Sequence, residues 1–273
     1  MKKQLNIMIV IMLMALIQGC GGGDDPVQKA MTKVDKSTPN GTFMSMLQAV
    51  KNNDINAMMQ TAMSPEEYTK AVADFEEQKS SPSEADKAQY AQMMGMLTGD
   101  GAEDKLMGMV SPQLAQLRTQ MPMYLMMGKG MIAPSIQSSP DIPEDQKESL
   151  TKLANAFVDY ASNTDLLSEE ITRKAISTAV STAKSLDMAT LDDVQNMSYD
   201  QAMGKASIVM GGVKDIMEVY GISIDDMIDS VKITDVVENG DSASMQLAYE
   251  FFGESFNQNV KMKKVNGQWI TDQ

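Results

Sequence analysis

The spacing of apolar residues predicts helices over most of the chain. Near the start of the folded part, apolar residues recur at intervals of three and four, as on one face of a helix, at Phe43, Met46, Leu47 and Val50. Serine, proline and acidic residues precede several similar segments, a combination typical of the first turn of a helix. These start signals lie at Ser64-Pro65, Ser81-Pro82-Ser83-Glu84, Ser111-Pro112, Ile142-Pro143-Glu144-Asp145 and Ser168-Glu169-Glu170. The pattern predicts several antiparallel helices joined by short polar turns.

After Gly221 the apolar residues alternate with polar ones, which is the two-residue period of a strand with one buried face. Asn239-Gly240 and Asn266-Gly267 are hairpin signals because both residue types tolerate positive φ, and Gly253-Glu254 supplies a turn between them. We therefore predict a four-stranded antiparallel meander with strands at 231–237, 243–251, 256–265 and 268–271. Trp269 is expected to pack the last strand onto a helix.

The N-terminus has the layout of an export signal. Lys2 and Lys3 precede a largely apolar run of 13 residues, Leu5 to Ile17, which is shorter than the about 20 residues that span a bilayer. Gly19 and then Cys20, the only cysteine, follow this run. The segment resembles a bacterial lipoprotein signal, in which the cysteine after the cleavage point carries the lipid. This resemblance implies a lipid anchor on Cys20 and, in a diderm bacterium, attachment to the periplasmic face of the outer membrane.

These patterns together predict the fold class and the order of segments along the chain. The fold class is α+β, a predominantly helical body with a C-terminal four-stranded antiparallel β-meander. We assign residues 1–19 to a signal peptide, 20–37 to a lipidated flexible tether, 38–230 to the helical region and 231–273 to the meander packed on the helices.

The balance of acidic and basic residues restricts the classes of molecule that the chain is expected to bind. The chain has 37 acidic and 23 basic residues and a net charge of −14, which disfavours binding to nucleic acid and electrostatic attraction to anionic lipids. Membrane attachment is therefore expected through the lipid on Cys20.

The chain has no histidine, which removes the commonest general base and the commonest zinc ligand, and lipidation would consume its only thiol. We expect no enzyme activity, no cofactor and no metal site. Ser149–Lys152 and Ser181–Lys184 have the spacing of a serine–lysine pair, but without the companion motifs of penicillin-recognising enzymes we interpret them as solvated helix positions. The acid pairs Glu76-Glu77, Asp192-Asp193 and Asp225-Asp226 would diverge on a helix by about 100°.

Methionine is unusually frequent, with 28 residues, ten of them between Met93 and Met131. Three interpretations are open: flexible core filler, an adaptable apolar groove, or soft thioether ligands for copper(I). The four-residue spacing of Met123, Met127 and Met131 favours a buried helical stripe. The candidate groove residues are Met123, Met126, Met127 and Met131, and copper is the least favoured.

Small residues indicate close helix contact in the second half of the helical region. One helical stripe has small residues four positions apart at Ala175, Ala179 and Ala183. Gly204, Gly211 and Gly212 in the next segment are expected to serve the same close packing.

Both ends of the folded part resemble a known group of domains. The segment from Thr38 to Asp54 is similar to the opening helix and turn of cystatin-like, nuclear-transport-factor-like α+β domains of bacterial lipoproteins. Val265-Asn266-Gly267-Gln268-Trp269-Ile270 resembles their closing hairpin. The resemblance implies a curved sheet around helices with an open conical pocket, and it carries over no catalytic residue.

The functional prediction is a non-enzymatic envelope lipoprotein that binds a protein partner or a hydrophobic ligand. The alternative is a structural or regulatory envelope domain that has no small-molecule ligand and presents an acidic surface to another component.

Overall fold

The computed structural model describes residues 34–77 and 82–272, where the chain forms ten helices and four strands. The helices are α1 (Pro39–Lys51), α2 (Ile55–Ala62), α3 (Pro65–Glu77), α4 (Glu84–Thr98), α5 (Ala102–Ser138), α6 (Glu144–Asn163), α7 (Glu169–Ser185), α8 (Leu191–Gln195), α9 (Tyr199–Val219) and α10 (Ile224–Ser230). The strands are β1 (Lys232–Asn239), β2 (Ser242–Phe251), β3 (Glu254–Val265) and β4 (Gln268–Thr271). The predicted α+β class, a helical body followed by a four-stranded meander, is confirmed.

Polar side chains fix the starts of most helices. The hydroxyls of Ser83 and Ser168 accept backbone N–H groups of the first turns of α4 and α7. Ser64 and Glu67 bond reciprocally at the start of α3, where each backbone N–H donates to the side chain of the other residue. These bonds satisfy donors that the first turn of a helix leaves free.

The helix start predicted at Ser111-Pro112 is wrong. α5 continues through Pro112 and also contains Pro122 and Pro134. The Ser111 hydroxyl donates to the carbonyl of Met107 at 2.7 Å, so it bonds back along the same helix and caps no new one. Each proline lacks the N–H that would bond one turn earlier, and the helix persists because it packs against α4, α6 and α7.

The sheet has the order β1-β2-β3-β4, and every neighbouring pair is antiparallel. All three turns have two residues, and two lie one position from the prediction: Phe252-Gly253 joins β2 to β3, and Gly240-Asp241 joins β1 to β2. The third turn, Asn266-Gly267, is as predicted. Both of its residues have positive φ, which matches the twist of the flanking strands.

Two apolar clusters connect the sheet to the helices. The first joins Phe251 and Phe256 of the sheet to Ala156 of α6 and to Ile224 and Ile228 of α10. The second consists of buried side chains of β2, β3 and β4, and Phe43 of α1 packs against it. Trp269 of β4 belongs to this cluster and is 1% exposed. The expectation that Trp269 packs the last strand onto a helix is confirmed.

The close contact predicted for the small residues occurs between α7 and α9. A Cβ atom added to Gly212 would lie 2.1 Å from Oγ1 of Thr182, so only glycine fits there. The same addition at Gly211 would meet Nδ2 of Asn53 at 3.2 Å, and at Gly204 it would meet nothing within 4 Å. One of the three predicted glycines therefore permits the helix contact.

Candidate functional site: the outer face of α5

The four candidate methionines lie on α5 and are exposed. Their exposed fractions are 54% at Met123, 76% at Met126, 51% at Met127 and 60% at Met131. The interpretation of Met123, Met127 and Met131 as a buried core stripe is therefore wrong. The four-residue spacing places these side chains on one side of the helix, and that side faces away from the protein.

The geometry of α5 explains this orientation. Met107 and Leu114 are buried, and Gly128 lies next to Val158 of α6, so these positions mark the inner side of α5. Met123 follows Leu114 by nine residues, or about 2.5 helical turns, which turns its side chain to the opposite side. Each four-residue step turns the direction by about 40°, so Met127 and Met131 lie progressively to one side of Met123, and both are still exposed.

The outer side of α5 is apolar over much of its length. Tyr124 is 48% exposed, and its hydroxyl donates to Oε1 of Gln120 at 2.8 Å. We call the surface of Met123, Tyr124, Met126, Met127 and Met131 the methionine face. Residues 106–140 carry two charges, Arg118 and Lys129, in a chain with a net charge of −14. An uncharged and apolar surface of this kind typically marks a contact with another molecule.

A groove lies beside the methionine face, between α5, the end of α6 and the segment that leads to α7. Its volume is about 500 Å³. Met126 lines the groove, whereas Met123, Met127 and Met131 are not among its lining residues. The predicted groove residues thus divide between two surfaces, with Met126 at the boundary. The lining residues are Arg118, Met121, Pro122, Leu125, Met126, Lys129, Ala161, Ser162, Thr164, Asp165, Leu166 and Leu167.

The two cations between Leu106 and the end of α5, Arg118 and Lys129, both line this groove, and their surroundings differ. Lys129 forms an ion pair with Asp159 of α6. Arg118 donates through Nε to the carbonyl of Leu167 at 2.7 Å, which fixes the guanidinium against the α6–α7 segment. Sequence reasoning missed both residues. The available signal was that they are the only charges in a long, otherwise uncharged stretch.

The serine–lysine pairs have structural or solvated positions. The hydroxyl of Ser149 donates to the carbonyl of Asn257 at 3.4 Å, and Nζ of Lys152 donates to the carbonyl of Ser255 at 2.5 Å. Both bonds join α6 to β3. Ser181 and Lys184 are exposed on α7. The interpretation as solvated positions is confirmed for Ser181, Lys184 and Lys152, which are exposed, while Ser149 is half-buried. Ser149 and Lys152 also attach α6 to the sheet.

The acid pairs diverge, as the helical geometry predicts. Oε1 of Glu76 accepts the backbone N–H of Tyr199 at 3.0 Å. Asp192 pairs with Lys87 at 3.1 Å, while Asp193 accepts bonds from the hydroxyl and backbone N–H of Thr190, which lower the pKa of its carboxyl.

Asp225 forms an ion pair with the buried Lys214. In the described part of the chain, no cluster of three or more acidic or cysteine side chains could hold a metal ion.

Two observations concern the envelope prediction. Cys20, the predicted lipidation site, lies outside the described residues. Within residues 34–77 and 82–272, no helix combines the length and apolarity needed to cross a membrane.

No family model, curated protein or solved structure matches this chain. The resemblance of both ends to cystatin-like, nuclear-transport-factor-like domains stays a prediction.

Proposed function

We propose that the chain is a non-enzymatic, lipid-anchored envelope protein that binds a protein partner through the methionine face. The observation that carries the proposal is the exposure of Met123, Met127 and Met131 on an uncharged stretch of α5. Methionine side chains are flexible and polarizable, so they adapt to irregular apolar partner surfaces. The partner chemistry that fits this face is an apolar helix or strand of another envelope protein.

A protein fits this face better than a membrane surface does. Helices that lie in a membrane interface usually carry several basic residues on the polar side. α5 carries only Arg118 and Lys129 between Leu106 and its end, and Lys129 is neutralised by Asp159. The net charge of −14 also opposes approach to anionic headgroups or nucleic acid.

The anchor is a separate part of the proposal and rests on the N-terminal sequence. We place a lipid on Cys20 and the protein at the periplasmic face of the outer membrane. A labelled fatty acid fed to cells should appear on the protein and be lost in Cys20→Ser. Equal labelling of both forms would contradict the anchor without affecting the methionine face.

Site-specific crosslinking in intact cells tests the partner. A photoreactive amino acid at position 127 is expected to capture a discrete protein, whereas the same group at position 237 is not. Val237 is a fair control because it is 59% exposed and lies on β1, away from α5. Met127→Glu should abolish capture from a probe at position 123, because a partner would have to bury the new charge. Identical products from positions 127 and 237 would overturn the proposal.

A further inference from the structure

The groove beside the methionine face has an apolar wall on each side. α5 supplies Met121, Leu125 and Met126 on one side. Ala161 of α6, together with Leu166 and Leu167 of the following segment, lies on the other. A volume of about 500 Å³ falls within the range of small-molecule sites, which are mostly apolar with a few placed polar groups.

Arg118 is the placed polar group. The chain has two arginines, and the other, Arg173, pairs with Asp104 at 3.0 Å. Arg118 instead uses Nε to bond the Leu167 carbonyl, and in the described part of the chain its two terminal nitrogens have no protein partner. A guanidinium held by Nε presents those nitrogens as a fork that matches carboxylate or phosphate oxygens.

We infer that this groove binds a single-chain amphiphile with an anionic headgroup, whose head contacts Arg118 and whose acyl chain lies along Met121, Leu125 and Met126. Arg118 and Lys129 are eleven residues apart, or about 16 Å along the helix. Both residues line the groove, so the groove follows α5 over about this length. The carboxylate of a fatty acid and the phosphate of a lysophospholipid share the required chemistry.

Two other charged residues line the groove, and both affect how an anionic headgroup binds there. Lys129 is already paired with Asp159, so its charge is largely compensated. Asp165 also lines the groove and carries a negative charge that opposes an anionic ligand. Arg118 and Asp165 should therefore act on affinity in opposite directions, which a purely apolar groove would not produce.

Calorimetric titration of the full-length protein tests the inference with three probes below their micelle concentrations: palmitate, monopalmitoyl lysophosphatidylglycerol and monopalmitoylglycerol. At least one anionic probe should bind saturably and roughly tenfold more tightly than the uncharged one. Tighter palmitate binding would identify a fatty-acid site, and tighter lysophospholipid binding a phosphate site. Equal affinity of all three, or no saturable binding, would overturn the inference.

Variants of the charged residues give the second readout. Arg118→Gln should lower the affinity for the anionic probe roughly tenfold. Arg118→Lys, which keeps the charge, should lower this affinity less. Asp165→Asn should raise the affinity for the anionic probe by roughly two- to fivefold. Arg173→Gln is the matched control, because it removes the same charge outside the groove. Unchanged affinity in Arg118→Gln, with thermal unfolding like that of the parent, would contradict the assignment. Met127→Glu should leave probe affinity unchanged, which separates this groove from the proposed protein contact.

Discussion

Gly212 determines how closely α9 approaches α7. A methyl group there would lie 2.1 Å from Oγ1 and 2.6 Å from Cβ of Thr182, so the two helices would have to separate. Overpacking of this kind costs about 1–3 kcal/mol, while alanine regains about 1 kcal/mol of helix propensity. Gly212→Ala should therefore lower the free energy of unfolding by up to roughly 2 kcal/mol in urea denaturation.

Gly204 provides the control on the same helix. It is exposed, and an added Cβ meets no atom within 4 Å. Gly204→Ala should raise the free energy of unfolding by about 0.5–1 kcal/mol, because it gains helix propensity without a clash. A rise in the free energy of unfolding in both variants would show that α7 and α9 do not approach closely at Gly212.

Glu67 makes the start of α3 sensitive to acid. The backbone N–H of Ser64 donates to Oε2 of Glu67 at 2.9 Å. This bond, followed by one from the Ser64 side chain, lowers the pKa of the Glu67 carboxyl below its ordinary value of 4.5. Because the pKa is lower in the folded state, the ionised carboxyl stabilises the fold above pH 4.5. That stabilisation is lost as the pH falls through the lowered pKa.

Glu67→Gln tests this dependence. At pH 7 the variant should unfold at a lower urea concentration than the parent, since an amide accepts the Ser64 bond less strongly than a carboxylate. The difference should shrink steadily below about pH 4.5, where the parent also loses its charge. A difference that stays constant from neutral to acidic pH would contradict the role of Glu67 ionisation.

At the scale of the elements, α5 contains a proline in its interior, Pro112. Inside a helix, Pro112 leaves the carbonyl of Gly108 without its bond from position 112. Pro112→Ala restores that N–H and should raise the free energy of unfolding by about 1–3 kcal/mol. Ser111→Ala should change it by less than about 0.5 kcal/mol, because the hydroxyl bonds the Met107 carbonyl and caps nothing. If a helix began at Pro112, Ser111→Ala would cost about 1 kcal/mol and Pro112→Ala would not stabilise.

The strands were more predictable than the long helix for a physical reason. Alternation between Ala243 and Phe251 has a single structural meaning, and the predicted β2 begins one residue from the observed start and ends at the same residue. Ser111-Pro112 is ambiguous because it fits both a first turn and a helix interior supported by neighbours. Only packing against α4, α6 and α7, which the local sequence does not encode, distinguishes the two.

At the scale of the whole molecule, the candidate site was predictable in part. The spacing of Met123, Met127 and Met131 correctly indicates a shared helix side, but a period cannot tell whether that side faces the core or the solvent. The groove at Arg118 depends on the α6–α7 segment, which is distant in sequence and carries no motif. Both surfaces therefore follow from how α5 docks, and only the three-dimensional structure supplies that information.

The clusters that join sheet and helices predict one cooperative unfolding transition. Phe251 and Phe256 of the sheet share a cluster with Ala156 of α6 and Ile228 of α10, so neither part keeps its core alone. Trp269 is the only tryptophan and lies in β4, so its fluorescence reports on the sheet, while circular dichroism near 222 nm reports mainly on the helices.

The two signals should change at the same denaturant concentration. Phe251→Ala should move both midpoints downward together, because emptying this cluster costs about 3–5 kcal/mol. Met131→Ala is the matched control, since Met131 is exposed on α5 and its truncation should leave both midpoints nearly unchanged. Separate midpoints for fluorescence and circular dichroism, or a shift of the fluorescence midpoint alone in Phe251→Ala, would show that the meander and the helical body unfold independently.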